Sequence, residues 1–101
     1  MTVIAPDQCT DMCDVRSQVD RLDRELMALF AERASYIDRA AAVKERVGLP
    51  AEIEWRIEEV ANNARRNADD HGLDPDFAEH LWRQLIDWSI ARENKTLKPK
   101  G

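Results

Sequence analysis

Apolar residues recur every three or four positions in a long segment, from about Asp11 to Arg46, that contains neither Gly nor Pro. This spacing is typical of one face of an α-helix. The face consists of Val15, Val19, Leu22, Leu26, Leu29, Phe30, Ile37 and Ala40. A single helix of this length would measure about 50 Å, whereas a compact domain of about 100 residues has a radius of gyration of about 13 Å. The pattern therefore predicts a helix too long for an ordinary monomer.

Glycine and proline divide the rest of the chain into two shorter helices. Gly48 and Pro50 end the first helix, and the second is predicted from Ala51 or Glu52 to Asp70 or His71. Its apolar positions are Ile53, Ile57, Val60, Ala61, Ala64 and Ala68. Gly72 then ends the second helix, and Asp74 before Pro75 predicts the cap and first residue of a third helix that reaches about Lys95. The third helix has a broader apolar face, which favours burial on two sides: Phe77, Leu81, Trp82, Leu85, Ile86, Trp88 and Ile90.

These segments predict one all-α domain in the 101 residues. We assign residues 1–9 to an irregular arm, 10–95 to the helical domain and 96–101 to a frayed tail; no repeat or second domain is evident. A long helix that is apolar along its whole length needs a partner of equal length, and twofold homodimers are the commonest oligomers. One chain of this size would also bury too little apolar surface to be comfortably stable. We therefore expect a homodimeric helical bundle.

Charge and composition narrow the function. The net charge of −5 argues against nucleic acid and against anionic membranes as partners. No apolar run approaches the roughly 20 residues that span a bilayer, and the N-terminus lacks the features of a signal peptide. We therefore expect a cytoplasmic protein. The basic tail with Lys95, Lys98 and Lys100 is interpreted as a solvated end.

The two cysteines, Cys9 and Cys13, are interpreted as reduced thiols, with a redox or metal role as the alternative. A zinc site would need more ligands at set spacings, and His71 and His80 are distant in sequence. No metal site is therefore predicted.

Two cations continue the apolar face of the first helix. Arg33 and Lys44 differ by about 20° around the helix and by about 16 Å along it, so they could close on a small anion between them. Cations on a buried face are costly unless they are paired, and the alternative is that internal carboxylates pair them or that they extend out to solvent.

Two more arginines extend this set. Arg56 lies between apolar positions of the second helix, where its alternative role is a surface ion pair with Glu52 or Glu59. Arg16 lies about 25 Å before Arg33 along the helix. Arg16 therefore cannot join a site at Arg33 and Lys44 in its own chain, but the Arg16 of an antiparallel partner could.

Ser89 and Glu93 share one face of the third helix, because they are four residues apart. They could hydrogen-bond a ligand, or they could simply belong to a solvated helix end. With Arg33, Lys44 and Arg56 they would form a cationic pocket with one carboxyl, which suits a small dicarboxylate. Such a pocket acts by positioning and charge stabilisation, because the sequence has no nucleophile arrangement, metal cluster or glycine-rich phosphate loop.

The chain resembles the all-helical chorismate mutases of type II, including the branch of isochorismate pyruvate lyases. The resemblance covers about residues 9–95 and depends on the ordered set Arg16, Arg33, Lys44 and Arg56. The matching stretches are Cys9-Thr10-Asp11-Met12, Asp14-Val15-Arg16, Val19-Asp20-Arg21-Leu22-Asp23, Ala31-Glu32-Arg33, Ala40-Ala41-Ala42-Val43-Lys44, Glu54-Trp55-Arg56, Gly72-Leu73-Asp74 and Trp88-Ser89-Ile90-Ala91.

The resemblance implies an intertwined homodimer with two shared active sites. Arg16 would enter from the partner chain and bind one carboxylate of the substrate, and Arg33 would bind the other. Lys44 would hydrogen-bond the ether oxygen of the breaking C–O bond. Arg56 and Ser89 would be further substrate contacts. The family's reaction, the pericyclic conversion of chorismate to prephenate in the shikimate pathway, needs no cofactor.

Two positions depart from the family pattern. A glutamine usually faces the ether oxygen, and this chain has Glu93, which can donate a hydrogen bond only when protonated. The resemblance therefore implies higher activity at lower pH. A family glutamate that binds the ring hydroxyl is replaced by Ile57, as in the lyase branch, whereas Ser89 is typical of the mutases.

The sequence therefore favours a chorismate mutase of aromatic amino acid biosynthesis. The first alternative is an isochorismate pyruvate lyase that supplies salicylate, and 4-amino-4-deoxychorismate is a related third substrate. A non-catalytic helical dimer is the alternative from another class. Cations on apolar faces argue against it, because a mere dimer would be more stable with apolar residues there.

Overall fold

The computed structural model describes residues 3–97, and in that range it contains three α-helices. Helix α1 spans Met12–Val47, α2 spans Glu54–Asp70 and α3 spans Pro75–Asn94. A short 3-10 helix, Pro6–Gln8, lies in the segment predicted as an irregular arm. The prediction of an all-α fold with one long and two shorter helices is confirmed. None of the helices within residues 3–97 is both long and apolar enough to cross a membrane.

The described residues fall into two units, one up to Ser35 and one from Tyr36 onward. In the first unit, side chains cap the start of α1. The backbone N–H of Asp14 donates to Asp11 Oδ1 at 2.9 Å, and the backbone N–H and hydroxyl of Thr10 donate to Asp14 Oδ2 at 3.0 and 3.1 Å. These bonds satisfy amide groups that the first helical turn leaves unpaired. Asp11 is therefore the residue whose side chain caps α1.

The apolar face of α1 in the first unit is open to solvent in the single chain. Its residues are between 38% and 61% exposed: Val15, Val19, Leu22, Leu26 and Leu29. Scattered apolar residues are normal on protein surfaces, but a continuous apolar face usually marks an interaction site.

In the second unit, two glycines end α1 and α2 in the same way. Gly48 and Gly72 have φ angles of +78° and +72°, which side chains rarely tolerate. The next backbone N–H groups then fold back: Leu49 donates to the Lys44 carbonyl at 2.9 Å and Leu73 to the Ala68 carbonyl at 2.8 Å. This is the Schellman arrangement. Both predicted helix ends are confirmed.

The predicted start of α2 was wrong by two or three residues. The helix begins at Glu54, after Ile53 in an extended conformation with φ −127° and ψ 107°. The carbonyl of Ala51 accepts a hydrogen bond from Lys44 Nζ instead of entering the helix. A side-chain contact from the end of α1 thus holds Ala51 outside the helix that the local pattern predicted to begin there.

The buried apolar positions of residues 3–97 are nearly all alanines. They are Ala41, Ala51, Ala61, Ala64, Ala68 and Ile86. Three of them, Ala61, Ala64 and Ala68, lie on α2, which packs against α3. The N-terminal end of α3 is fixed as predicted, because Asp74 accepts a hydrogen bond from the backbone N–H of Asp76 at 2.9 Å, ahead of Pro75 at the first turn. Three large apolar residues of α3, namely Phe77, Leu81 and Trp88, are exposed, whereas Ile86 is buried.

The predicted tail, residues 96–101, is described only to Leu97. The backbone N–H groups of Thr96 and Leu97 donate to the Glu93 carbonyl at 3.0 and 2.9 Å. Residues 98–101, with Lys98 and Lys100, lie outside the described residues.

Candidate functional site

A part-buried ion pair joins the C-terminal end of α1 to the C-terminal end of α3. Lys44 Nζ donates to Glu93 Oε1 at 2.7 Å, and the two side chains are 18% and 6% exposed. Removing two charges from water is costly, and a buried pair persists only when its geometry is good and further hydrogen bonds are made. The structure thus brings together two of the residues that the sequence placed in the site.

A backbone carbonyl provides the second contact of Lys44. Its Nζ also donates to the carbonyl oxygen of Ala51 at 2.9 Å, and Ala51 is itself buried. An ammonium group has three N–H donors. Among residues 3–97 these two acceptors leave it the capacity for one further hydrogen bond, so Lys44 is held in place and can still donate to a bound molecule.

Ser89 lies one helical turn before Glu93 and is likewise buried. Its hydroxyl donates to the Leu85 carbonyl at 2.8 Å, within α3. A hydroxyl that donates one hydrogen bond can also accept. The interpretation of Ser89 and Glu93 as a solvated helix end is wrong, because both are only 5% exposed.

Arg56 lies in the first turn of α2 and is exposed. Its guanidinium donates to Glu59 Oε1 at 2.6 Å on the same helix, the surface pair that the sequence left open as the alternative. Exposed pairs of this kind are weak and exchange readily, so the guanidinium can turn to another anion. Ile57 follows it and is half-buried.

Arg16 and Arg33 both belong to the first unit. Arg16 is exposed, whereas Arg33 is half-buried. The α1 segment that carries them is one regular helix, so about 25 Å of helix axis separates their Cα atoms. One small molecule cannot contact the Arg16 and the Arg33 of the same chain.

A second link between α1 and α3 escaped the sequence analysis. Arg92 forms two hydrogen bonds with Asp38, Nε to Oδ1 at 2.7 Å and a terminal nitrogen to Oδ2 at 2.9 Å. These bonds hold the pKa of Asp38 below its ordinary value and raise that of Arg92. The Arg92 guanidinium also lies 5.3 Å from the centre of the Trp88 ring, within cation–π range. The sequence analysis missed this pair because no sequence motif joins residues so far apart. It missed the role of Ala51 because that residue acts through its backbone carbonyl.

Away from these contacts, a network of ion pairs ties α2 to α3. Arg65 donates to Asp76 and Glu79 at 2.8 and 2.9 Å, and Arg83 donates to Glu79 at 2.8 Å and to Glu58 at 3.1 Å. The hydrogen bonds from Arg83 and Arg65 lower the pKa of Glu79. No cluster of His, Cys, Asp and Glu suited to a metal ion occurs among the described residues.

The chain is therefore a three-helix, all-α protein in which a Lys–Glu ion pair joins the ends of α1 and α3. Residues 15–94 match the family model of chorismate mutase type II, and the chain belongs to that family. The chain is 32% identical to an isochorismate pyruvate lyase of Pseudomonas aeruginosa, over 89% of this chain and 88% of that protein. It is 35% identical to a T-protein of Haemophilus influenzae over 81% of this chain but only 22% of that protein.

A third relative is a chorismate mutase of Methanocaldococcus jannaschii, which is 23% identical over 86% of this chain and 88% of that protein. Together with the family membership, these relatives indicate an enzyme that acts on chorismate or on a closely related compound.

Proposed function

We propose that this protein is a chorismate mutase that converts chorismate to prephenate without a cofactor. The observation that carries the proposal is the buried contact of Lys44 with Glu93, reinforced by the Ala51 carbonyl. An unpaired buried lysine would be far more costly, so Lys44 is held before any ligand binds. The remaining N–H of Lys44 is directed, in this proposal, at the substrate.

In this proposal Lys44 acts on the ether oxygen of the bond that breaks. The rearrangement has no covalent intermediate, so the protein accelerates it only by binding the transition state better than the ground state. Negative charge builds on the ether oxygen as the C–O bond lengthens, and a fixed ammonium group stabilises that charge without reorganising. One such donor typically contributes about 100- to 1,000-fold to kcat.

Arginine side chains would bind the two carboxylates of the substrate, because a guanidinium matches a carboxylate with two parallel hydrogen bonds. By resemblance to the family, Arg33 binds one carboxylate, Arg16 of a second chain binds the other, and Arg56 and Ser89 add contacts. The weak surface pair of Arg56 with Glu59 is compatible with its release to a substrate. The separation of Arg16 from Arg33 by about 25 Å supports a contribution from two chains.

A homodimer is therefore part of the proposal. The exposed apolar face of α1, with Val19, Leu22 and Leu26, supports it. The composition of the core also supports a homodimer, because alanines bury far less surface than leucines or phenylalanines. Dimerisation would cover the apolar face that one chain leaves open.

Glu93 would be the second group at the ether oxygen. A carboxylate only accepts hydrogen bonds, and a protonated carboxyl can donate one. Paired with Lys44 as an anion, Glu93 serves to anchor the ammonium group. When protonated, it can donate to the ether oxygen, so we expect the rate to rise as the pH falls.

The alternative is an isochorismate pyruvate lyase, which would release salicylate and pyruvate. Two observations favour it: the similarity to the lyase of P. aeruginosa along 88% of that protein, and the apolar, half-buried Ile57 where the mutases bind a ring hydroxyl. The same lysine could stabilise the same developing charge, because this reaction also breaks a C–O bond to an enolpyruvyl group.

The test uses the purified protein with chorismate and, separately, isochorismate, and follows prephenate and salicylate. The proposal expects prephenate as the faster product, with a rate that Lys44→Ala lowers at least about 100-fold. Dominant salicylate would establish the lyase. If the folded protein forms neither product, the remaining candidates are 4-amino-4-deoxychorismate as the substrate and the non-catalytic dimer.

A further inference from the structure

We propose that Asp38 and Arg92 are a positioning pair, which sets the rotation of α3 so that Glu93 meets Lys44. The first step is geometric. The two hydrogen bonds between Arg92 and Asp38, at 2.7 and 2.9 Å, form a planar fork that fixes orientation as well as distance. A single-point contact would leave the helix free to turn about it.

The second step concerns where the two ion pairs lie. On α1, Asp38 and Lys44 are about 120° apart around the helix axis, and on α3, Arg92 and Glu93 are about 100° apart. The two ion pairs are anchored on consecutive residues of α3, whereas about 9 Å of helix axis separates Asp38 from Lys44 on α1. Burial agrees with this arrangement. Arg92 and Asp38 are 38% and 53% exposed, whereas Lys44 and Glu93 are 18% and 6% exposed.

The third step concerns the order of the charges. The α1 segment presents an acid at Asp38 and a base at Lys44, whereas α3 presents a base at Arg92 and an acid at Glu93. Turning α3 by one residue would bring Arg92 towards Lys44, or Glu93 towards Asp38. Both encounters join like charges, and such mismatches select one register over its neighbours. The exposed pair of Asp38 and Arg92 therefore specifies the orientation of α3 in which Glu93 meets Lys44.

The fourth step concerns the Arg92 side chain, which also contacts Trp88. Trp88 lies one turn earlier on the same face of α3, and its ring is 5.3 Å from the guanidinium carbon. The ring restricts a long side chain that would otherwise sample many rotamers. The exposed pair can thus position α3 even though surface ion pairs add little to stability.

The effect on rate rests on the proposed function, because it assumes that Lys44 and Glu93 act on the substrate. A misplacement of about 1 Å can cost about 100-fold in rate. We expect Asp38→Ala and Arg92→Ala each to lower kcat about 10-fold, with KM changed less than about twofold. The double variant should be no worse than either single variant, because the two residues act as one unit.

The matched control is Glu58→Ala. Glu58, on α2, forms an exposed ion pair with Arg83 on α3. The side chains of Glu58 and Asp38 are similarly exposed, at 51% and 53%. The control removes an exposed ion pair to α3 and should leave kcat unchanged. Equal losses of kcat in Asp38→Ala and Glu58→Ala would overturn the inference. So would a double variant whose loss is the product of the two single losses.

A readout independent of turnover separates this inference from the proposed function. The ammonium signal of Lys44 in a ¹H–¹⁵N spectrum is visible only while hydrogen bonds slow its proton exchange. It should be present in wild type and Glu58→Ala, and be lost or broadened in Asp38→Ala and Arg92→Ala. An unchanged Lys44 signal in those two variants would refute the positioning role, even if the protein forms neither product. Wild type without either product but with this spectral pattern would refute the proposed function alone.

Discussion

Lys44 and Glu93 are 49 residues apart in sequence, and their charged groups meet at 2.7 Å in a buried contact. The contact joins the end of the longest helix to the end of the last one. Because it also involves the Ala51 carbonyl, it fixes the segment between α1 and α2. One ammonium group therefore connects three parts of the second unit and is the proposed catalytic donor.

The first prediction concerns pH. Glutamine offers an N–H donor at every pH, whereas Glu93 can donate only when protonated. We expect the wild-type kcat/KM to rise as the pH falls. In Glu93→Gln, kcat/KM should be nearly independent of pH between 5 and 8. Glutamine can also accept from Lys44, so the variant should fold.

Steady-state rates on the preferred substrate across that pH range provide the measurement. Glu45→Gln, an exposed carboxylate on α1, is the control and should keep the wild-type profile. A Glu93→Gln profile as steep as that of the wild type would contradict the role given to Glu93.

The second prediction concerns sharing of the active site between chains. Arg16→Ala and Lys44→Ala homodimers should both be nearly inactive. A heterodimer of the two has both substitutions in one site and none in the other, so it should show about half of the wild-type rate. After random reassociation of an equal mixture, about half of the dimers are heterodimers, so the mixture should show about a quarter of the wild-type rate. Native mass spectrometry establishes that heterodimers have formed, and inactive heterodimers would argue that each site is built from one chain.

The third prediction concerns the apolar face of α1. Leu26→Lys places a charge on the proposed dimer interface. Full burial of a leucine is worth about 1.5–3 kcal/mol, and each dimer would lose two, so we expect dimer dissociation to increase at least about 100-fold. Asp20→Lys, about 120° from Leu26 around the same helix and off the apolar face, serves as the control. Analytical ultracentrifugation over a concentration series gives the result, and a wild-type monomer at all concentrations would show that the face is not a dimer interface.

The fourth prediction concerns stability in acid. The pKa of Glu79 is lowered by its hydrogen bonds from Arg83 and Arg65. The unfolded chain therefore binds this proton at a higher pH than the folded chain, so the stabilisation is complete above the ordinary value of about 4.5 and is lost as the pH falls through the folded pKa. Glu79→Gln should flatten the dependence of the unfolding free energy on pH below that value.

Urea unfolding at a series of pH values provides the measurement. Arg83→Met should flatten the dependence as well, because it removes the larger of the two causes. Asp38→Asn should remove a further part of the pH dependence of the unfolding free energy, since the hydrogen bond from Arg92 lowers the pKa of Asp38. A slope that Glu79→Gln and Arg83→Met leave unaltered would exclude this network as a source of acid sensitivity.

Features that depend on neighbouring residues were predictable from the sequence. The apolar spacing of α1, the positive φ angles of Gly48 and Gly72, and the cap at Asp74 are local properties, so the helices and most of their ends were predictable. The start of α2 was not, because a hydrogen bond from Lys44 to Ala51 decides it. The tertiary structure alone decided that Lys44 meets Glu93 and that Asp38 meets Arg92. Contacts between residues about 50 positions apart depend on how helices pack, and helical periodicity specifies only which face each residue occupies.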